Sequence, residues 1–120
     1  MVEIKANSVV YRTWILKEKV GTPDECPWDL EGRTVVAFVH VNGATGPIVA
    51  HSNVTDAAAG KVIVLFDEEI TAVAFQDGEQ ERDASLEFKV TSSDGTTAKI
   101  PQKGFIPLKI NRDLEGGEPA

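Results

Sequence analysis

Short runs in which apolar and polar residues alternate recur along most of the chain. In the segment 85–91 every second residue is apolar, and the charged residues Glu87 and Lys89 lie between them. A period of two is typical of a β-strand with one face on a core and the other in water. The segments 12–17 and 105–110 alternate in the same way. We therefore predict a strand at each of these three places.

Two further runs, residues 35–41 and 62–66, are apolar at consecutive positions and rich in β-branched side chains. β-Branched residues favour strands over helices at this length. A strand that is apolar on both faces normally lies in the middle of a sheet or has its second face covered by a neighbour. The two runs are therefore predicted to be central strands.

Turn signals separate the predicted strands. Asn42-Gly43 supplies residue types that tolerate the positive φ angles of a tight turn. The segment 92–96 carries an Asp-Gly pair between two alternating runs, which predicts a β-hairpin. Pro107 falls at an outward position of its strand and has no N–H to donate, which indicates an edge strand or a bulge.

The segment 67–75 departs from the strand pattern. Asp67 can accept the hydrogen bonds of a helix N-terminus, and Glu68 and Glu69 stand where the helix dipole favours negative charge. Apolar residues three and four positions apart follow in the same segment. One or two helical turns are predicted here, packed on the sheets because so short a helix is not stable alone.

Taken together, the pattern predicts an all-β fold of six to eight short strands in two packed antiparallel sheets, with one short helical crossover. At 120 residues the chain has the size of one domain, which we assign to residues 1–110. Residues 111–120 lose the periodicity and are polar and glycine-containing. They are predicted to be a C-terminal tail or docking arm.

The chain carries a formal net charge of −7, from 12 basic and 19 acidic residues. Nucleic acid and anionic membrane surfaces attract clusters of Lys and Arg, and the basic residues here are spread thinly. No stretch approaches the roughly 20 apolar residues that span a bilayer, and no basic region followed by an apolar core opens the sequence. We therefore expect a soluble protein, made in the cytoplasm, that binds neither nucleic acid nor membrane.

The residue types that carry catalysis or bind metals are sparse and scattered. Cys26 is the only cysteine, so no intramolecular disulfide can form, and only His40 and His51 could assist it as a nucleophile. A zinc site needs three or four converging ligands, and the acidic segment 77–83 lacks the ligand spacing of an EF-hand calcium loop. We expect no enzyme activity, no cofactor and no bound metal.

Three aromatic residues, Trp14, Trp28 and Phe105, are candidates for a patch that binds a ligand or a partner. Trp14 stands at an inward position of its strand and is expected in the core. For Trp28 two interpretations stay open, one in which it plugs an end of the sandwich and one in which it is exposed.

The order of these signals along the chain is itself informative. Its landmarks are Trp28-Asp29-Leu30-Glu31-Gly32 before the strand at 34–41, Gly60-Lys61-Val62 before the next, Glu69-Ile70-Thr71-Ala72 in the crossover, the turn Asp94-Gly95, and Lys103-Gly104-Phe105-Ile106-Pro107-Leu108. The series resembles the immunoglobulin-like N-terminal domain of tailed-phage baseplate upper proteins and of related short proteins encoded among phage tail and fibre genes. The resemblance extends over about residues 11–110. Glu31 stands where that family more often has threonine, and the segment 75–83 is longer and more acidic than the usual link.

The resemblance implies an immunoglobulin-like sandwich with a structural, non-catalytic role in a virion, in the tail, baseplate or fibre-attachment region. The expected partners are other virion structural proteins and further copies of the chain, which reaches the virion after synthesis in the host cytoplasm. Two alternatives stay open: a capsid decoration or head-fibre base protein of the same fold, and a cellular ligand-binding β-sandwich module. For partner contacts we single out Trp28, Pro107, Arg112 and Leu114.

Overall fold

The structure is a computed structural model that describes residues 2–19, 21–101 and 104–112. Within these residues the elements, in chain order, are β1 (Val2–Lys5), β2 (Val10–Ile15), β3 (Lys17–Glu18), β4 (Cys26–Pro27), β5 (Thr34–Val41), β6 (Ile48–Asp56), β7 (Lys61–Phe66), α1 (Glu68–Thr71), β8 (Glu81–Thr91), β9 (Thr97–Ile100) and β10 (Ile106–Asn111).

The strands form two packed sheets joined by one strand that belongs to both. The first sheet has the order β1-β10-β8-β5-β6 and the second the order β6-β7-β2, while β3 and β4 form a separate ribbon. Residues 48–50 of β6 pair with β5, and the part of β6 from His51 onward pairs with β7. This strand order makes the fold an all-β, immunoglobulin-like sandwich, as the sequence predicts.

One pair of strands departs from the predicted antiparallel arrangement. β1 runs parallel to β10, with Val2 opposite Leu108 and Lys5 opposite Asn111, whereas the other described pairs are antiparallel. A parallel pair arises here because β1 and β10 are separated by nearly the whole chain, so no hairpin dictates their relative direction.

Alternate residues of the central strands fill the space between the two sheets. The buried residues of β5, β7 and β8 are Ala37, Val39, Val41, Val62, Val64, Phe66, Ala84, Leu86, Phe88 and Val90. The ring centroid of Trp14, on β2, lies 5.9 Å from that of Phe66 and 6.0 Å from that of Phe88. Because these two phenylalanines belong to different sheets, Trp14 packs both sheets together, which agrees with its predicted core position.

The hairpin and the helical crossover form where the sequence predicts them. Ser92 donates a backbone hydrogen bond to Thr96 across the β8–β9 turn at 2.8 Å, and Gly95 adopts a φ of 89°. Asp67 caps α1 by accepting a hydrogen bond from the Glu69 amide at 3.1 Å. The helix lasts a single turn, and within the described residues no helix is long and apolar enough to cross a membrane.

The turn between β6 and β7 holds the long segment that follows β2. Gly60 accepts a hydrogen bond from the Leu16 amide at 2.8 Å, and Leu16 in turn accepts one from the Trp28 amide at 2.8 Å. A Cβ atom on Gly60 would lie 2.5 Å from the Leu16 carbonyl oxygen and 2.9 Å from that of Trp28. The backbone therefore approaches Gly60 more closely than any side chain allows.

Three details differ from the sequence-based expectations. His51, which none of the predicted strands includes, lies within β6, a strand that the polar residues 51–53 made hard to predict. Pro107 does not lie on an edge strand, because β10 has β8 on one side and β1 on the other from Leu108 onward. β10 also runs past residue 110: Asn111 ends the strand and its carbonyl accepts a hydrogen bond from the Ala6 amide at 2.8 Å.

Candidate functional site

The outer face of the first sheet carries the first candidate site. Strand alternation turns Phe38 of β5 and Glu87 of β8 away from the core, and these two residues lie directly opposite each other. On the far side of Phe38, Val49 of β6 is its cross-strand partner. His40 of β5 lies opposite Ser85 of β8 one step further along. We call this surface, formed by Phe38, His40, Val49, Ser85, Glu87 and the residues that flank them, the outer groove.

The outer groove has apolar walls that are open to solvent. Phe105 is 66% exposed and Val49 is 60% exposed, while Phe38 is half-buried. Together with Pro47, both phenylalanines line a concavity of about 700 Å³. Large apolar side chains grouped in this way on an exposed surface are typical of sites that contact another molecule.

The position of Phe105 follows from the change from β9 to β10 as the strand that pairs with β8. β9 ends at Ile100, which pairs with Phe88, and β10 begins at Ile106, which pairs with Leu86. On β8, Glu87 lies between these two partners. Gly104, at a φ of 72°, comes directly before Phe105, which lies beside the outer groove. Pro107 pairs with Ser85 in an unbroken register, so β10 has no bulge at this position, and it lies one residue before the stretch that pairs with β1.

One end of the outer groove is basic. Lys89 of β8 lies opposite Lys99 of β9. Lys99 forms an ion pair with Glu87, with 4.0 Å between the ammonium nitrogen and the carboxylate oxygen. Two lysines against one glutamate leave a net positive charge at this end.

The opposite end is acidic. Asp83 of β8 lies opposite Lys109 of β10, whose ammonium donates a hydrogen bond to the Glu81 carboxylate at 2.7 Å. That hydrogen bond, followed by the neighbouring negative charge of Asp83, raises the pKa of Lys109 above its usual 10.5. Two carboxylates against one ammonium leave a net negative charge at this end.

The outer face of the second sheet carries a separate apolar patch. Tyr11 of β2 is 60% exposed and lies opposite Leu65 of β7, and Ile15, 47% exposed, follows four residues further on the same face. Val9 and the half-buried Ile63 extend the patch. The sandwich therefore presents exposed apolar side chains on both of its outer faces.

A cluster around Arg82 closes one end of the sandwich. Its guanidinium donates to both carboxylate oxygens of Glu79, at 2.7 and 2.8 Å, and to the Asn42 carbonyl at 3.0 Å. The hydrogen bonds from Arg82 are the main reason that the pKa of Glu79 falls to about 2 from its usual 4.5. The same pairing raises the pKa of Arg82. The Phe75 ring lies under two guanidinium groups, with Arg82 at 6.0 Å and Arg112 at 5.9 Å from its centroid.

The residues singled out from the sequence do not converge on one site. Trp28 is half-buried against the core, with the Arg33 guanidinium 5.3 Å from its ring centroid, so it is neither a fully buried plug nor an open platform. Pro107 is exposed on β10. Arg112 packs on Phe75 and donates to the Glu79 carbonyl at 3.1 Å, so it holds the fold together. Leu114 lies outside the described residues.

The groups with reactive or metal-binding potential stay apart. His40 and His51 are exposed on different strands, and the Cys26 sulfur is 3.8 Å from a Glu18 carboxylate oxygen. Among residues 2–19, 21–101 and 104–112, no group of three or more His, Cys, Asp or Glu side chains is arranged to hold a metal ion.

Sequence reasoning named Phe105 but missed the outer groove around it. The usable signal was the run 35–41, which is apolar on both faces. The run was predicted to be a central strand, which β5 is, and its outward residue Phe38 borders an open concavity. An apolar side chain that points outward from a central strand and stays accessible to solvent is typical of a contact surface.

The fold and these surfaces define a small β-sandwich with apolar patches on both outer faces. No protein-family model matches the chain, and no curated protein matches it significantly. Among solved structures, a match is the crystal structure of AggA, the major subunit of aggregative adherence fimbriae type I from Escherichia coli. That match has 8% sequence identity, covers 94% of this chain and 91% of that chain, and has a TM-score of 0.34. Because this TM-score is low, the fold assignment rests on the strand order and registers given above.

Proposed function

We propose that the chain is a non-enzymatic structural or adaptor subunit of a larger assembly. The observation that carries the proposal is the pair of exposed apolar surfaces, with Val49 and Phe105 on one outer face and Tyr11 and Ile15 on the other. A subunit inside an assembly contacts a neighbour on each side, and apolar side chains exposed in the isolated chain become buried on assembly.

We further propose that this assembly is the virion of a tailed phage, in the tail, baseplate or fibre-attachment region. The support is the order of motifs along the sequence, from Trp28-Asp29-Leu30-Glu31-Gly32 to the Asp94-Gly95 turn, which resembles phage baseplate upper proteins. The immunoglobulin-like strand order of the fold is compatible with that resemblance.

Mass spectrometry of particles purified from the source by density gradient tests the proposal. We expect the chain in the particle fraction at a fixed stoichiometry, with about 3–18 copies for a tail ring and hundreds for the capsid alternative. A chain found only in the soluble fraction of the lysate would contradict the proposal. A free control protein of the same lysate, followed through the same gradient, shows how much soluble material the particle fraction retains.

A second candidate is a cellular ligand-binding module, which the concavity of about 700 Å³ beside Phe38 and Phe105 favours. Its binding side chains would be the two phenylalanines together with His40 and Asp83. A glycan array probed with the chain and with Phe38→Ala tests it. Binding by the parent chain that the variant loses would support this candidate over the structural one.

A further inference from the structure

The outer groove has a charge pattern that is complementary to itself. Its outward residues on β8 run from Asp83 at the acidic end to Lys89 at the basic end, and Phe38 and Phe105 supply apolar side chains between the ends. In one arrangement, a second copy packs face to face with the first, and the two-fold axis lies in the contact plane, perpendicular to the strands. Each acidic end then lies over the basic end of the other copy. We propose that the outer groove is a contact between two copies of this chain.

The alternative orientation of a second copy is disfavoured by the same charges. With the two-fold axis parallel to the strands, Asp83 would face the Asp83 of the second copy and Lys89 would face its Lys89. Like charges placed in contact are repulsive, so the pattern selects the antiparallel orientation. In that orientation the apolar middle of each groove, including Phe38 and Phe105, is covered by the other copy.

The size of the outer groove predicts how strong this contact is. Four neighbouring strands spaced by about 4.8 Å, each contributing about 20 Å of length, give a planar footprint of roughly 400 Å². A stable interface between two proteins typically buries about 800 Å² on each partner. The net charge of −7 also opposes association of two identical chains. The contact is therefore weak between free chains and becomes effective where an assembly holds several copies together.

This inference rests on the proposed function, because an assembly supplies the high local concentration that a weak contact needs. Sedimentation velocity of the full chain, from about 10 µM to about 1 mM, provides the first test. We expect a concentration-dependent shift from monomer to dimer at the upper end of this range. A chain that stays monomeric at about 1 mM overturns the proposal, and the groove then takes a different partner.

Charge reversal at the two ends provides the decisive test. Lys89→Glu makes both ends of the groove acidic, and Asp83→Lys makes both ends basic, so each variant alone is expected to be monomeric. Mixed together, an acidic groove meets a basic one, and we expect the two variants to form a mixed dimer. Failure of the mixture to associate, although the unmodified chain dimerises, places the contact elsewhere on the molecule.

Matched variants on the second sheet control for nonspecific effects. Lys61→Glu makes the same charge change on the opposite face, where Lys61 lies beside Ile15. Phe105→Ser and Tyr11→Ser each remove one exposed aromatic ring, the first beside the groove and the second on the other face. We expect at least a tenfold weaker dimer for Phe105→Ser, whereas Lys61→Glu and Tyr11→Ser dimerise as the parent chain does. Equal weakening by both aromatic substitutions overturns the assignment.

The outcomes separate this inference from the proposed function. Particles that contain the chain, together with a chain that is monomeric at about 1 mM, leave the structural role standing and reject the contact between copies. A chain that dimerises through the groove but is missing from particles supports the contact between copies and rejects the structural role in a particle.

Discussion

Gly60 is the residue whose side chain the fold tolerates least. Its φ is 69°, and a Cβ atom would meet the backbone oxygens of Leu16 and Trp28 inside van der Waals contact. Both neighbours are backbone atoms, and the Leu16 oxygen accepts a hydrogen bond from the Trp28 amide, so it cannot move aside without disturbing the segment that carries Trp28. Gly95 has a similar φ of 89° but nothing within 4 Å of the position of its Cβ atom.

The two glycines allow conformational strain to be separated from steric overlap. Gly95→Ala carries only the cost of a left-handed backbone and is expected to lower the free energy of unfolding by about 1 kcal/mol. Gly60→Ala adds the backbone clash and is expected to lower it by about 2–4 kcal/mol. Urea unfolding followed by tryptophan fluorescence measures both. Equal losses for the two variants would show that the close approach at Gly60 relaxes freely.

Glu79 makes the stability of the fold depend on pH in the acidic range. Its pKa is lowered to about 2 in the folded chain from a usual value of 4.5. A carboxylate with a lowered pKa stabilises the fold fully above its unfolded pKa, and this contribution is lost as the pH falls toward the folded pKa. The stabilisation by Glu79 is therefore complete above about pH 4.5 and decreases between about pH 4.5 and pH 2.

Glu79→Gln tests this dependence. We expect the variant to be less stable than the parent chain at neutral pH and the difference to shrink as the pH approaches 2, because protonation removes the same charge from the parent. Urea unfolding at about pH 7, 4 and 2 gives the comparison. The exposed Glu31, changed to Gln, controls for the general loss of one negative charge. A difference that stays constant over this range would contradict the role of the Arg82–Glu79 pair.

At the scale of single elements, β2 is an open edge whose partner in the described sheet is β7 alone. Edge strands present unpaired backbone groups that other chains can pair with. Arg12 lies at an inward position of β2, opposite the buried Val64, yet it is exposed and donates a hydrogen bond to the Tyr11 carbonyl at 3.1 Å. A charged side chain at an inward edge position resists pairing with a further strand, because pairing would bury the charge.

Replacing this charge is expected to open the edge to other chains. We expect Arg12→Val to keep the fold, which circular dichroism checks, and to form higher-order species that light scattering detects at about 10 µM. Thr13→Val, the neighbouring outward position, is the control for added hydrophobicity and is expected to behave as the parent chain. Scattering by both variants alike would assign the effect to surface hydrophobicity instead of the edge charge.

Local patterns explain which elements the sequence reveals. The alternation of Leu86 and Phe88 with charged neighbours, and the Asp94-Gly95 turn, both act over a few residues and therefore predict β8 and its hairpin correctly. β6 was not predicted because its outward side chains, such as His51 and Asn53, are polar and because its two halves pair in different sheets. The strand can only be recognised once its partners β5 and β7 are in place.

The candidate site is harder to predict, since it depends on register. Phe105 was named from its aromatic type as a candidate for a binding patch, but its position beside the outer groove follows from the pairing of Ile106 with Leu86. That pairing, at the start of β10, is not part of the β8–β9 hairpin, and no local signal encodes it. The stacking of Arg112 on Phe75 likewise joins residues far apart in the chain.

For the whole molecule, contacts with the sandwich continue past residue 110, the predicted end of the domain, as far as Arg112. The Asn111 carbonyl accepts a hydrogen bond from Ala6, and the Arg112 amide donates one to the Gln80 carbonyl at 2.8 Å. Both contacts connect the end of β10 to distant parts of the chain. The last two described residues are therefore part of the sandwich.

Two truncations locate this boundary. A chain that ends after Ile110 loses both backbone hydrogen bonds and the contact of Arg112 with Phe75, whereas a chain that ends after Arg112 keeps them. We expect the shorter chain to be less stable than the longer one by about 2–4 kcal/mol. Thermal unfolding of the two proteins side by side measures the difference. Equal melting temperatures would show that residues 111 and 112 do not stabilise the domain and that it ends at residue 110.

The parallel pairing of β1 with β10 has a mechanical consequence. Tension applied between the chain before Val2 and the chain after Asn111 pulls these two neighbouring strands in opposite directions along their length. The hydrogen bonds between them lie across the pull, so they are loaded together in shear and cannot open one at a time from an end. Such a clamp resists forced unfolding by keeping the rate of rupture low. A sandwich closed in this way is suited to transmit force between the two ends of its chain.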